Sequence, residues 1–388
     1  MGAMAFAGAI MILYVSLIEG FTDAMVRNMI SNSLGDMQIH AKGYLDDPDL
    51  YTLVPDPDRL AERLEASGYH AAPRWYGIGL AASGESSAAV TLRGVDLTRE
   101  RTVTRTHEHV ARGRWLDGAE PKGAVIGRRL ARTLNVDVGD EIVFLSQAAD
   151  GSLANELFIV RGVLKTVSEP VDRAGFFIPR ETFTELMLVD DAASEIAVAL
   201  PLRETPLEAA TREAAALAPG LEVKNWRALS PVMAKMVDTA GAGTYIMLLI
   251  VYSAIGMVVL NAMLMNVFER IREYGIMKAL GMGPWRVAGL VYAEAALTAL
   301  IACAVAALGG GALSWWAQTS GIDLSVFGAG EDFATFGGMA FDPVWYARLT
   351  PASVIRPLAA LAAVVMIAAL YPCVKAAVIR PVEAIHHR

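Results

Sequence analysis

Four stretches of this chain run for about the length of a bilayer-spanning helix with almost no charge. They are Gly2–Ile18, Thr239–Phe268, Val287–Gln318 (broken only by Glu294) and Pro357–Val374. A helix needs about 20 apolar residues to cross the hydrocarbon core. Between the first and second lies a long stretch of ordinary polarity. The whole chain is 54% apolar and 19% charged, with a mean hydropathy of +0.41. Soluble domains carry about 25% charged residues, so a soluble enzyme is excluded, as are disordered and fibrous chains. A secretory signal peptide fits the first block poorly, because no basic segment precedes it and no small-x-small cleavage site follows. The pattern predicts an α-helical membrane protein of four transmembrane helices, with a large α/β extracytoplasmic domain inserted between helices 1 and 2.

Orientation follows from where Lys and Arg sit in short loops. The 269–286 loop has Arg270, Arg272, Lys278 and Arg286 against Glu269 and Glu273. The 375–388 tail has Lys375, Arg380 and Arg388 against Glu383. Both are expected in the cytoplasm. The 319–356 loop has Asp323, Glu331, Asp332 and Asp342 against Arg348 and Arg356, and is expected outside. The expected order is therefore helix 1 over 1–20 (extending outward to about 34), the extracytoplasmic domain over 21–238 and helix 2 over 239–268. The cytoplasmic loop follows, then helix 3 over 287–318, the outer loop, helix 4 over 357–374 and the cytoplasmic tail. Residues 21–238 hold 32 acidic and 24 basic side chains, the whole of the chain's net −8. Nucleic acid is excluded as a partner, since it requires a basic face.

The outer domain reads as mixed α/β. Met37–His40 starts a strand, and Pro57–Ser67 has helical apolar spacing that stops at Gly68. Strand-like runs follow at 74–82, 88–95, 123–126, 141–145, 157–164, 175–178 and 195–200, with a hairpin turn at Gly151. Helices are predicted over 128–134 and 206–218. No internal repeat appears, which argues against a solenoid or a transporter of tandem halves.

Catalytic motifs are scarce. No Gly-Lys dipeptide occurs, so no P-loop can hold phosphate. Gly84-Glu-Ser-Ser-Ala lacks the second glycine of a nucleophile elbow. His107 and His109 have no third metal ligand in sequence, and Asp46, Asp47 and Asp49 lack the glycine and distal glutamate of a calcium loop. His386 and His387 are too few for a metal site. Cys303 and Cys373 lie in predicted spans and read as apolar fillers. Few charges line the spans, which argues against a hydrophilic ion path. Asn261 and Asn266 are placed for either interhelical or local bonding. No catalytic, cofactor or metal residues are assigned.

The 269–286 loop is the most informative segment. Gly275 is expected to end or kink the second helix. Ile276, Met277 and Leu280 would then form an apolar face on a short helix that closes at Gly281. That face would either lie in the headgroups or dock in a partner's groove. The run Glu269-Arg270-Ile-Arg272-Glu273-Tyr-Gly275-Ile276-Met277-Lys278-Ala-Leu280-Gly281 resembles the signature of FtsX-like ABC transporter permeases, as does Glu294 in the next helix. Tyr371-Pro372 and Pro381-Val-Glu383-Ala384 resemble that family's C-terminal motif. Arg93-Gly94-Val95-Asp96 and the run from Gly123 to Asp140 resemble a MacB-type periplasmic core domain. Ser16-Leu-Ile-Glu19-Gly20-Phe21 is similar to lipoprotein-releasing (Lol-type) permeases.

The resemblance implies a non-catalytic permease subunit of the bacterial inner membrane, paired with a second copy or a paralogue. A separate ABC-type ATPase would bind ATP and Mg, and no cofactor would bind to this chain. The coupling helix, about Tyr274–Leu280, would dock on that ATPase through Ile276, Met277 and Leu280, with Arg272, Glu273 and Lys278 on the rim. Mechanotransmission would then extrude lipoproteins, lipids or other amphiphiles, with a periplasmic chaperone or adaptor as a further partner. MacB-like efflux of peptides, toxins or drugs, and FtsX-like regulation of a cell-wall hydrolase, are the alternatives. Family members usually carry a basic amphipathic segment before the first span, whereas here the first basic residue is Arg27.

Overall fold

The computed structural model describes residues 1–200, 205–323, 335–336, 339–340 and 344–379. Glu331, Asp332 and Asp342, and the tail from Arg380 with its Pro381–Ala384 motif and His386–His387, lie outside the described residues. Two compact units are present. One takes Met1–Ala24 and most of the described residues after Met236, and the other is built from Met25–Lys235. Two of the long helices run from one unit into the other.

Helix α1 (Gly2–Met29) continues into one π-helical turn, Ile30–Leu34. Gly35, at φ +75°, closes that turn by donating its N–H to the Ile30 carbonyl at 2.9 Å. The second unit then unfolds in chain order as β1 (Met37–His40), β2 (Val54–Pro55), α2 (Pro57–Ala66), β3 (His70–Ser83), β4 (Ser86–Val95), α3 (Glu100–Val103), β5 (Val110–Gly113) and β6 (Gly123–Ile126). After these come α4 (Arg128–Leu134), β7 (Glu141–Gln147), β8 (Leu153–Leu164), α5 (Glu169–Ala174), β9 (Gly175–Pro179), α6 (Arg180–Met187), β10 (Ala192–Ala193), β11 (Glu195–Ala199), α7 (Leu207–Leu217), β12 (Glu222–Asn225) and α8 (Trp226–Leu229).

The strands form two lobes that share β3. In one, β12, β1, β11 and β3 lie side by side, all antiparallel. Its core joins Met37, Ile39, Ile196 and Val198 of the sheet to Leu60 and Leu64 of α2 and Ala210 and Ala214 of α7. The helical spacing of Leu60, Ala61 and Leu64 puts one apolar stripe on α2, and burying it is what holds so short a helix. In the other lobe β3, β4, β9, β6, β8 and β7 follow in order, and β7 pairs back onto β3 at Leu80–Ala82. The ring closes into a small barrel filled by Trp75, Leu92, Phe144, Phe158, Phe176 and Ile178, with Leu130 of α4 and Phe183 of α6 packed in the same core. Closure removes free strand edges.

The first unit adds α9 (Pro231–Glu269), α10 (Ile271–Ala279), α11 (Pro284–Ser320) and α12 (Pro351–Val378). Helices α1, α9, α11 and α12 are each long and apolar enough to cross a membrane. Ala299 and Ala302 of α11 pack with Met4 and Met11 of α1, Leu248 and Tyr252 of α9, and Leu361 and Val365 of α12. Small residues let such helices approach closely where no hydrophobic drive separates protein from lipid.

Candidate functional site

The segment after α9 begins with a break. Arg270 (φ −99°, ψ 13°) leaves helical geometry, so α9 stops at Glu269 and α10 starts at Ile271. Gly275 was expected to end or kink the long helix, but it lies inside α10, buried beside Tyr274. The break falls on Arg270 instead, whose side chain lies 3.5 Å from Glu294 of α11. At the other end Gly281 (φ +96°) closes the helix: its N–H reaches the Lys278 carbonyl at 3.0 Å, and the Met282 N–H reaches that of Met277 at 3.0 Å. Gly283 and Pro284 then open α11, with proline at a position where its missing N–H costs nothing.

Two residues expected on the docking face or its rim point inward. Met277 packs against a cluster made of Val267, Tyr274, Val287, Val291, Ala369 and Cys373. Lys278 sends its ammonium to the end of α12, donating to the carbonyls of Ala376 (3.1 Å), Ala377 (2.5 Å) and Ile379 (2.9 Å). Those carbonyls lie at the C-terminal end of a helix whose last residue is Val378, where the helix dipole is negative. Burial pulls the Lys278 pKa below the usual lysine range. Burial also pushes Tyr274 up, helped by the Glu294 charge. Met277 and Lys278 therefore anchor the short helix to its own subunit.

What remains exposed is an apolar edge. Ile276 is 47% exposed, Leu280 83% and Trp285 79%, beside exposed Arg272, Glu273 and Arg286. Glu269 is exposed as well. Trp285 was not singled out in the sequence. Its position just after Gly283-Pro284, at the mouth of a span, was the available signal. Ile276 and Leu280, four residues apart at the end of a helix fixed from behind, with Trp285 opening the next helix, are apolar groups suited to entering a groove.

The Ser16–Phe21 motif lies in the second half of α1, within the helix. Glu19 accepts a hydrogen bond from the Thr350 hydroxyl at 2.9 Å and lies 3.5 Å from Arg356. The Ser16 carbonyl accepts from the Arg348 N–H at 2.8 Å, and Phe21 stacks on Trp345 with centroids 4.3 Å apart. In the second unit, His107 sits in a 3₁₀ turn, 3.9 Å from Glu108, and the His109 ring nitrogen Nδ1 lies 2.9 Å from the Arg105 carbonyl. Asp49 accepts the N–H groups of Tyr51 and Thr52.

Residues 245–381 match the FtsX-like permease C-terminal family, and residues 1–217 match the MacB-like periplasmic core domain. This chain belongs to the FtsX-like permeases with a MacB-type core domain. It is 25% identical over 320 residues to the lipoprotein-releasing system transmembrane protein LolC of Xylella fastidiosa, covering 78% of this chain and 74% of that one. Among solved structures it is similar to the periplasmic region of MacB from Actinobacillus actinomycetemcomitans, at 14% identity over 55% of this chain and 95% of that one, with a TM-score of 0.39. It is also similar to the extracellular domain of the noncanonic ABC-type transporter YknZ from Gram-positive bacteria, at 14% identity over 49% and 98%, with a TM-score of 0.36. The FtsX-like permease is thus an ABC transporter permease of the inner membrane, with several spans and a periplasmic core domain. Permeases of this family work with ABC ATPase partners.

Proposed function

We propose that this permease is the membrane half of a mechanotransmitting transporter that releases lipoproteins, or other amphiphiles, outside the membrane. The observation that carries the reading is the exposed pair Ile276 and Leu280, on and at the end of a short helix pinned to its own subunit by Lys278 and Met277, with exposed Trp285 at the start of the next helix. A helix in a groove draws most of its affinity from a few buried apolar anchors. ATP and Mg would bind to the partner ATPase, since this sequence has no phosphate-binding Gly-Lys. Two permease subunits, identical or paralogous, would be driven together. The likeness to LolC, a protein of a lipoprotein-releasing system, supports a lipoprotein as cargo; a periplasmic chaperone or adaptor would receive it.

The test is co-purification of the ATPase with Leu280→Asp and Ile276→Asp variants, together with ATP-driven release of a triacylated lipopeptide from proteoliposomes. Each substitution would bury an unpaired carboxylate in the groove, at a cost of roughly 3–5 kcal/mol. Both variants should lose the ATPase while the core domain stays folded. Retention of the ATPase and of release by both would reduce the edge to a membrane-surface connector.

A further inference from the structure

Four successive carbonyls at the end of α1 are each held by a donor from the core domain. The Ser31 carbonyl accepts from the Arg105 N–H at 2.6 Å, and that of Asn32 from the Thr106 hydroxyl at 2.7 Å. The Ser33 carbonyl accepts from Arg74 Nη1 at 2.7 Å, and that of Leu34 from Gln38 Nε2 at 3.1 Å. These carbonyls belong to the π turn, where a helix has run out of N–H partners. The donors come from three separate places: strand β1, strand β3 and the loop after α3.

The guanidinium at the centre is itself fully engaged. Arg74 Nε and Nη2 donate to the Glu100 carboxylate at 2.9 and 2.7 Å, and Nη1 also reaches Glu195 at 3.0 Å. Glu195 further accepts from the Tyr76 hydroxyl at 2.8 Å and from Gln38 at 3.3 Å, and lies 3.3 Å from His40 Nε2. Gln38, His40, Arg74, Glu100, Thr106 and Glu195 are all at most 5% exposed. Apolar residues of the same volume would often give equal or greater stability than such a buried ionic cluster. What the ions add here is direction, because they fix the position and orientation of a helix end whose negative pole attracts a cation.

The connection at α9 is built differently. Between α8 and α9 the backbone breaks at Ser230 (φ −127°, ψ 77°), and Ser230 is tied back by its N–H to the Trp226 carbonyl at 2.8 Å. One connection is gripped on four consecutive carbonyls, and the other passes through a break.

We propose that Arg74, Gln38 and Thr106 are positioning residues that form a transmission joint, by which the core domain grips the π turn of α1 and moves with it as one body. The joint rests on the mechanotransmission reading above. It assigns α1 as the driving helix and the Ser230 break as the hinge that lets the domain follow.

The experiment uses the full chain with its ATPase in lipid nanodiscs. Compared with wild type are Arg74→Lys, which keeps the charge but loses the fork, and the near-isosteric double variant Gln38→Leu/Thr106→Val. Tyr69→Phe serves as control; it removes a 2.8 Å bond to Glu213 elsewhere in the same domain. Amide exchange over residues 30–36 should quicken roughly tenfold in both joint variants and stay within about twofold in the control. Spin labels at Arg27 and Ser152 should give a broadened distance distribution only in the joint variants. ATP turnover should be kept, while release of a triacylated lipopeptide per ATP falls roughly tenfold. Unchanged exchange and label distances would overturn the joint. So would loosening of the turn with release intact. A wild type that turns over ATP without releasing the probe would count against the lipoprotein reading instead; the exchange and spin-label arms need no substrate and then decide the joint by themselves.

Discussion

Gly20 of α1 lies against the backbone carbonyl of Tyr346, so closely that a β-carbon at residue 20 would overlap that oxygen. The neighbouring Ser16, Glu19, Phe21 and Asp23 all contact residues 345–356. The motif is thus a seam fastening α1 to the start of α12, and glycine is required because the obstacle is backbone.

Gly20→Val should therefore open this seam. The expected loss is roughly 1–3 kcal/mol, as for other overpacked sites. Gly311→Ala in α11, where an added β-carbon meets nothing within 4 Å, is the matched control. Thermal unfolding of the detergent-solubilised chain should show a lowered midpoint only for the first.

Lys278→Met should fray the end of α12. Three carbonyls lose a charged donor, which corresponds to about 1–2 kcal/mol. Hydrogen exchange over residues 373–379 should quicken severalfold, whereas the exposed Arg272→Ala should leave it unchanged. Equal protection in both variants would show that the cap contributes nothing.

Glu195 makes the core domain sensitive to acid. Burial alone would raise its pKa, but its bonds and charge contacts with His40, Arg74 and Tyr76 outweigh that and hold it down to about 2. A carboxylate held below its ordinary value of 4.5 adds stability that is complete above 4.5 and is lost as pH falls toward 2. Exchange protection of β11 should decline across that window. Glu195→Gln should flatten the decline, and at neutral pH should cost roughly 3–5 kcal/mol, because Arg74 loses a buried partner.

Labelling checks the orientation. Ser152→Cys and Lys375→Cys are made in a chain whose Cys303 and Cys373 have been replaced by alanine. Both positions are exposed. An impermeant maleimide should mark Ser152→Cys in intact spheroplasts and Lys375→Cys only after lysis. The reverse pattern would invert the topology.

Much of the fold was legible because it depends on local pattern. Long uncharged runs define spans wherever they occur, since the bilayer selects on length and polarity. The start of β1 and both ends of β6 and α4 were readable from strand-like runs and apolar spacing, and Gly281 from its place after an apolar turn. Periodicity says that a helix has an apolar face, but not which neighbour covers it. Ile276, Met277, Lys278 and Leu280 read alike as surface of a coupling helix. Only packing against α11 and α12 turned Met277 and Lys278 inward and left Ile276 and Leu280 outside. The barrel closure at Leu80–Ala82 and the grip of Gln38, Arg74 and Thr106 on the π turn join residues far apart in the chain. Such contacts depend on strand order and on where a buried charge finds its partners, and tertiary structure alone decides both.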